Sequence, residues 1–368
     1  MITFSRSAVV TRKSCEMKRF LNYDYPHPFA SPVTGIVPLT ELSAKSTLPR
    51  ERGKILHEAA EALFKGQDWK QIIRDRCREW IGERYRDEQE VLIRRAILGW
   101  SVKRAELLEH YSVMSAEAEW SWQMYDNIRQ VLRMDRILRR TEDGLLAILD
   151  FKTMKAPDSN WIARMQHSDQ THLYIQALKE RTNEYVLGMI YEGIIIGSMN
   201  QEGRQQSPFV MGWKKPNGFL SPKYVAGCPK VWTLDWSDKR WLEWAQTPVL
   251  VKGENVTILD ELYCSTGIVS PSNKQLLETK SSTAHAELRW YNKVQEIRQI
   301  AETYGTDSLE FEGSVAMNVE RNPDTCLKFG YDYQCPYHRV CWDGAYVDEE
   351  TFTSREDHHA PQSETEVD

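Results

Sequence analysis

The sequence predicts an α/β protein, a central mixed β-sheet flanked by helices, with one helical insertion and one further irregular insertion. Three observations lead there. Residues 116–153 run as alternating, β-branched segments broken by turn residues, the pattern of half-buried strands. Three helical patterns, over about 50–66, 68–87 and 89–111, precede them, and a fourth over about 162–181 follows. A further strand-like run, "YVLGMIYEGIIIGS", comes directly after that helix.

Residues 1–25 set Cys15 among basic and aromatic neighbours, "RKSCEMKRFLNYDY", and 26–49 are rich in Pro, Ser and Thr and read as loop. In "RERGKILHEAAEALFKG" the apolar residues Ile55, Leu56, Ala59, Leu63 and Phe64 recur at helical spacing, and Gly66 is a stop signal. "AEAEWSWQMY" and "IRQVLRMDRILRR" alternate, "TEDG" turns the chain, and "LLAILDFKT" is the next strand. Residues 200–260 hold Trp213, Trp232, Trp236, Trp241 and Trp244 among Gly and Pro, and read as an insertion. A charged helix follows at about 283–304, then a cysteine-bearing segment at 322–342. The expected organisation is one domain over 1–346, with its core at about 50–195 and an insertion at about 200–280.

Composition bounds the function classes. With 368 residues, 41% hydrophobic, the chain can bury a substantial core. No run approaches eighteen apolar residues, and the first twenty lack the apolar core of a signal peptide. The expectation is a soluble, intracellular, cytoplasmic protein with no membrane partner. Seven cysteines, an odd number in a long chain, argue against a disulfide framework and leave free thiols or metal ligands. The net charge is −6, but the final 22 residues hold eight acids and one arginine, which leaves about +1 for residues 1–346. That tail, almost without apolar residues, is expected to be disordered. A near-neutral body can still carry a basic groove, so net charge excludes little. No GxxxxGK[ST] phosphate loop is present, so the chain has no recognisable ATP motor.

The chemistry centres on "GLLAILDFKTMKAP". Alternation points Asp150 and Lys152 to one face of the strand with Ile148, and Leu149 and Phe151 to the other. The hairpin at "TEDG" brings the preceding strand, with Asp135 in "RMDRI", alongside. Two carboxylates and an ammonium can then converge at one sheet edge. Carboxylate oxygens are the hard ligands that Mg²⁺ or Mn²⁺ selects, and a neighbouring lysine can stabilise charge on phosphate oxygens. An isolated D-x-K also serves simply as an interstrand salt bridge. His57 sits at the margin of its helix's apolar stripe, and Gln170 and Tyr174, four apart, share a helix face. Glu119 is a further acid whose role stays open.

Taken in order, "GKILHEAAE", "MDRI", "LDFKT" and "QTHLY" resemble the PD-(D/E)XK nuclease superfamily, specifically its RecB-like branch. That branch includes CRISPR-adaptation nucleases, the nuclease domains of helicase–nuclease complexes and phage-type exonucleases. The resemblance covers about 57–174, with Asp150 where Glu is more familiar. It implies a restriction-endonuclease-like core. His57, Asp135 and Asp150 would be metal ligands, with the backbone carbonyl of Phe151 a further one. Lys152 would be the catalytic lysine, and Gln170 and Tyr174 would position substrate or catalytic groups.

Cys326, Cys335 and Cys341 are spaced C-x8-C-x5-C, which by itself leaves a metal site and free thiols both open. Some RecB-like nucleases hold a [4Fe–4S] cluster with one cysteine before the core and three after it, ending in C-x5-C. The resemblance therefore implies Cys15, Cys326, Cys335 and Cys341 as cluster ligands in a structural role. The first spacing, eight residues rather than about two, keeps zinc as the alternative. Cys77, Cys228 and Cys264 stand alone and read as inert.

Arg129, Arg133, Arg136, Arg139 and Arg140 surround Asp135 and suit phosphate tracking, or salt bridges on a solvated hairpin. The tryptophans at 232–244 suit base stacking or, more simply, packing. No base-reading motif is present. The resemblance thus implies a Mg²⁺- or Mn²⁺-dependent DNA exonuclease acting on single strands or duplex ends, with a possible helicase or recombination partner. The alternatives are a catalytically silent DNA-binding subunit of a recombination or CRISPR-adaptation complex, and an RNA-directed nuclease.

Overall fold

The first twenty-five residues, whose pattern names no element, open with strand β1 (Ile2–Ser5) and helix α1 (Arg6–Ser14). Ser5 makes the switch: its hydroxyl accepts from the Ala8 amide at 3.3 Å, an N-cap. Helix α2 (Glu16–Arg19) and a π-turn over Phe20–Asp24 follow. The structure is a computed structural model that describes residues 2–26, 36–38, 48–81, 86–154, 160–195, 198–199, 205–206, 237–251, 254–322, 337, 340–341 and 352–354. The chain divides into two units: Leu48–Ala118 with Met134–Asn273, and Met1–Thr47 with Glu119–Arg133 and Lys274–Asp368. In the second of these, β2 (Ile36–Pro38) is a short strand.

The first unit carries the D-x-K strand. Helix α3 (Leu48–Phe64) ends before Gly66, whose φ of +66° suits a residue without a Cβ. Helix α4 (Trp69–Trp80) starts at Asp68, whose carboxylate accepts from the Gln71 amide at 3.1 Å. Helix α5 (Arg86–Leu108) is the third. Strands β3 (Tyr111–Tyr125) and β4 (Ile128–Arg140) come next, then β5 (Leu146–Met154). The expected helix at 162–181 is two helices, α6 (Trp161–Gln166) and α7 (Asp169–Thr182). The break has a local cause: Ser168 caps α7 by accepting from the Gln170 amide at 3.2 Å.

Strand β6 (Val186–Ile195) pairs with β5 in parallel, and β4 pairs with β5 antiparallel, so the sheet is mixed as expected. Two short pairs, β7 (Ser198–Met199) with β8 (Gln205–Gln206) and β9 (Val249–Val251) with β10 (Glu254–Val256), are antiparallel. The described part of the irregular insertion is more regular than its composition suggests. Helix α8 (Asp238–Gln246) and α9 (Ile258–Leu262) bury Trp241, Ala245, Leu259 and Leu262 together. Trp241 is therefore a packing residue, while Trp213, Trp232 and Trp236 lie outside the described residues. Strand β11 (Tyr263–Val269) closes the sheet against β6. The main core packs Ile55, Leu56, Ile93, Ile97 and Trp100 of α3 and α5 against Leu149 and Phe151 of β5. Alternation dictates that arrangement, since Leu149 and Phe151 share one strand face.

In the other unit the charged helix is longer than expected, α10 (Asn273–Tyr304), followed by α11 (Leu309–Asn318). Its buried stripe of Leu276, Ala284, Trp290, Val294 and Ile297 is interrupted by the polar Thr283 and Glu287. β12 (Phe352–Ser354) pairs with β2, and β1 pairs in parallel with Ile128–Val131. No described helix is long and apolar enough to cross a membrane.

Gly188 tests the β6–β11 contact. A Cβ there would stand 2.4 Å from the Val269 carbonyl oxygen, at a φ of +155°. Backbone cannot yield as a side-chain tip can. Gly188→Ala should lower the free energy of unfolding by about 2–4 kcal/mol in a urea titration.

Candidate active site

The β4–β5 ladder runs in register from Arg139↔Leu146 to Arg136↔Leu149 and stops there. The next residue of β4 is Asp135. Its side chain takes over from the ladder, with Oδ2 accepting from the Phe151 amide at 2.8 Å. Helix α3 brings His57 to the same oxygen, Nδ1 at 3.4 Å, and sets the imidazole edge-to-face against the Phe151 ring at 6.0 Å. On β5, Asp150 is buried and Lys152 is half-buried, and the lysine ammonium contacts Asp150 Oδ2. Gln170, buried on α7, donates from Nε2 to Asp150 Oδ1 at 2.5 Å. Tyr174, one turn further along α7, is also buried.

The structure therefore brings His57, Asp135, Asp150, Phe151, Lys152 and Gln170 into one connected set. Glu119 is exposed on β3 and belongs to the other unit. Sequence reasoning missed a supporting layer on the Asp150 face. Tyr191, which pairs with Asp150 across β5–β6, is fully buried, and its hydroxyl lies 2.8 Å from that of Thr171. Thr171 also donates to the Met165 carbonyl at 2.5 Å, which ties α6 to α7. The Lys152 ammonium sits over the Tyr191 ring at 5.7 Å. An aromatic in a buried strand is too common a feature to have marked it.

Electrostatics separate the two acids. Burial pushes the Asp135 carboxyl up, but His57, the Phe151 amide and Lys152 outweigh it and hold it below the usual carboxylate range. Burial also pushes Asp150 up; the negative charge of Asp135 adds to that, and Lys152 opposes it without reversing it.

Arginine placement differs from the sequence expectation at one position. Arg139 pairs with Glu184, Arg140 with Asp143, and Arg129 donates to Gln123 at 3.3 Å. Arg136 faces no phosphate path: it is 0% exposed, among Phe64, Phe151 and Leu149 on the core face. The signal was present, since Arg136 alternates with Met134 and Leu138, both buried.

Of the four predicted cluster cysteines, Cys15 and Cys341 are buried in one apolar cluster with Phe20, Trp290, Ile297 and Tyr337. Cys326 and Cys335 lie outside the described residues. Around Cys15 the chain ends are tied by hydrogen bonds, Met17 N to the Glu320 carbonyl at 3.0 Å and Asn322 Nδ2 to the Ser14 carbonyl at 2.8 Å. Burial pushes the Cys77 thiol up to about 12 and the Cys264 thiol up to about 11, which makes both poor nucleophiles. Cys228 lies outside the described residues.

Among the described residues, no three His, Cys, Asp or Glu side chains stand as a ready metal cage. The donor set at Asp135 and Asp150 nevertheless suits a hard divalent cation. It offers two buried carboxylates and an imidazole, and Asp150 Oδ2 is a buried oxygen that accepts no hydrogen bond of good geometry. The Lys152 ammonium contacts it, so a positive charge already stands in front of that oxygen.

The Gln170 bond predicts a stability effect. Gln170→Leu leaves Asp150 Oδ1 buried without its donor and should cost about 1–3 kcal/mol in chemical denaturation.

A family model described as the PD-(D/E)XK nuclease superfamily matches residues 3–342. Among curated proteins no match is found. The mixed sheet flanked by helices agrees with that family. The chain belongs to the PD-(D/E)XK nuclease superfamily.

Proposed function

We propose that the protein is a Mg²⁺- or Mn²⁺-dependent DNA exonuclease of RecB-like type, acting on single strands or duplex ends. The observation that carries this reading is the meeting of Asp135 and Asp150 beside Lys152, in water-poor surroundings, where the β4–β5 ladder ends. His57, Asp135, Asp150 and the Phe151 carbonyl would hold the cation. When bound, it supplies Lewis-acid activation of the phosphoryl group and of water. The remaining work falls to side chains. Gln170 fixes the Asp150 carboxylate through Oδ1 and leaves Oδ2 facing the site. Lys152 stands beside Asp150 and, being about one-third exposed, can reach outward to charge gathering on phosphate oxygens as water attacks phosphorus. Tyr191 supports that ammonium from below.

The proposal includes a [4Fe–4S] cluster of structural role on Cys15, Cys326, Cys335 and Cys341, with zinc as the alternative. The two described thiols offer soft donors buried in a common apolar cluster. A helicase or recombination partner belongs to the same reading.

Two tests follow. Lys152→Ala should lower cleavage of end-labelled DNA at least about 100-fold, and EDTA should abolish the wild-type activity. Equal inertness of wild type and variant on single- and double-stranded DNA would move the silent-subunit reading ahead, and preference for RNA would redirect the substrate class. For the cysteines, anaerobically purified protein should contain iron and acid-labile sulfide, both lost in Cys335→Ala. Zinc in their place would select the alternative. A Cys335→Ala protein that is folded, fully active and free of both metals would remove the site.

A further inference from the structure

The back of the D-x-K strand carries a cluster of cations and rings that hydrolysis as described does not use. Arg136 follows Asp135 and leaves β4 on the opposite face. Its guanidinium donates from Nη1 to the Asp135 carbonyl oxygen at 2.5 Å. The same group lies 4.1 Å from the Phe64 ring centroid and 5.3 Å from that of Phe151. Arg104 of α5 lies against Phe64 at 3.4 Å and Trp100 at 4.9 Å. Glu192 of β6 is the acid of the group, and accepts from Trp100 Nε1 at 2.6 Å.

Burying a guanidinium here is costly, and an apolar side chain of similar volume would fill the space at lower cost. Arginine adds two things that such a residue lacks. One is a donor aimed at the backbone of Asp135. The other is a flat cation that rests on the ring of Phe151. Those two residues are the ones joined across the end of the ladder, where the Asp135 carboxylate accepts from the Phe151 amide at 2.8 Å. The guanidinium thus braces, from behind, the two strands at the point where regular pairing gives out.

We infer that Arg136 is a positioning residue, which sets the pitch at which β4 and β5 present the Asp135 carboxylate and the Phe151 carbonyl to a divalent cation. This inference rests on the hydrolytic reading given above. It makes a distinction that a purely structural arginine would not. Arg136→Met removes the fully buried guanidinium and leaves the half-buried Arg104 with Glu192, so the metal-free variant should fold and melt close to wild type. Its affinity for the cation should fall, because the backbone that presents the ligands is no longer braced.

The experiment is Mn²⁺ binding without substrate, followed by the loss of the free Mn²⁺ paramagnetic signal, on full-length wild type, Arg136→Met and Arg136→Lys. Metal-free melting curves are recorded beside it. The expected result is a dissociation constant raised about tenfold or more in Arg136→Met, with partial recovery in Arg136→Lys, which keeps a donor but loses the planar stack. Wild-type affinity in a folded Arg136→Met protein overturns the inference. If the Met variant fails to fold, the Lys variant decides: weakened binding supports the positioning role and unchanged binding overturns it. A wild type that binds no Mn²⁺ at all overturns the metal-dependent reading itself and takes this inference with it.

Discussion

Two carboxylates placed side by side out of water set the terms for the unit that holds them. Asp135 and Asp150 repel one another, and each loses hydration on burial. The arrangement persists only because each oxygen pair is met by donors or cations drawn from different elements. Asp135 takes a backbone amide and an imidazole; Asp150 takes an amide side chain and an ammonium. Four elements are thereby committed. β4 must leave β5 at Arg136, α3 must bring His57 to the end of that ladder, α7 must be capped at Ser168 so that Gln170 is in reach, and β5 must carry a lysine two residues beyond Asp150.

That constraint explains which parts were legible in the sequence. The strands and hairpin around Asp135 and Asp150 read correctly because period-2 alternation is strong when one face is core and the other carries charge. The His57 helix read correctly because its apolar stripe is continuous from Ile55 to Phe64. Gln170 and Tyr174 were identified by order in the chain, but their geometry depends on a helix break at Ser168 that propensity does not reveal. The missed part of α10 is its first ten residues, Asn273–Ser282, which bury only Leu276 and so show no apolar stripe. Glu287 is buried against Arg12, Nε to Oε1 at 2.9 Å, and local sequence cannot signal a partner 275 positions away.

The same limit applies to the chain ends. Composition marked the region of Cys15 only as basic and aromatic, yet it forms a strand, two helical segments and a buried cluster with residues beyond 290. Asp24 shows how this is held: its carboxylate receives Arg19 Nε at 2.8 Å and Trp290 Nε1 at 3.0 Å. These contacts are between side chains far apart in sequence, and they already fasten the ends before any cysteine chemistry is considered. A metal cluster at Cys15 and Cys341 would thus add to an existing tie, which fits a stabilising role better than one on which folding wholly depends.

Strand alternation puts Asp150 and Lys152 on one side and Leu149 and Phe151 on the other, so the chemistry and the core share one backbone. A shift on the core face is then carried directly to the carboxylates. Ordinary apolar packing resists compression well but resists sliding along the strand poorly, because dispersion is not directional. A guanidinium that donates to one strand's carbonyl and rests on a ring of the other does resist sliding, since both contacts depend on direction. At the point where the hydrogen-bond ladder stops, some directional contact has to replace it. The Asp135 carboxylate does so on one face and Arg136 does so on the other.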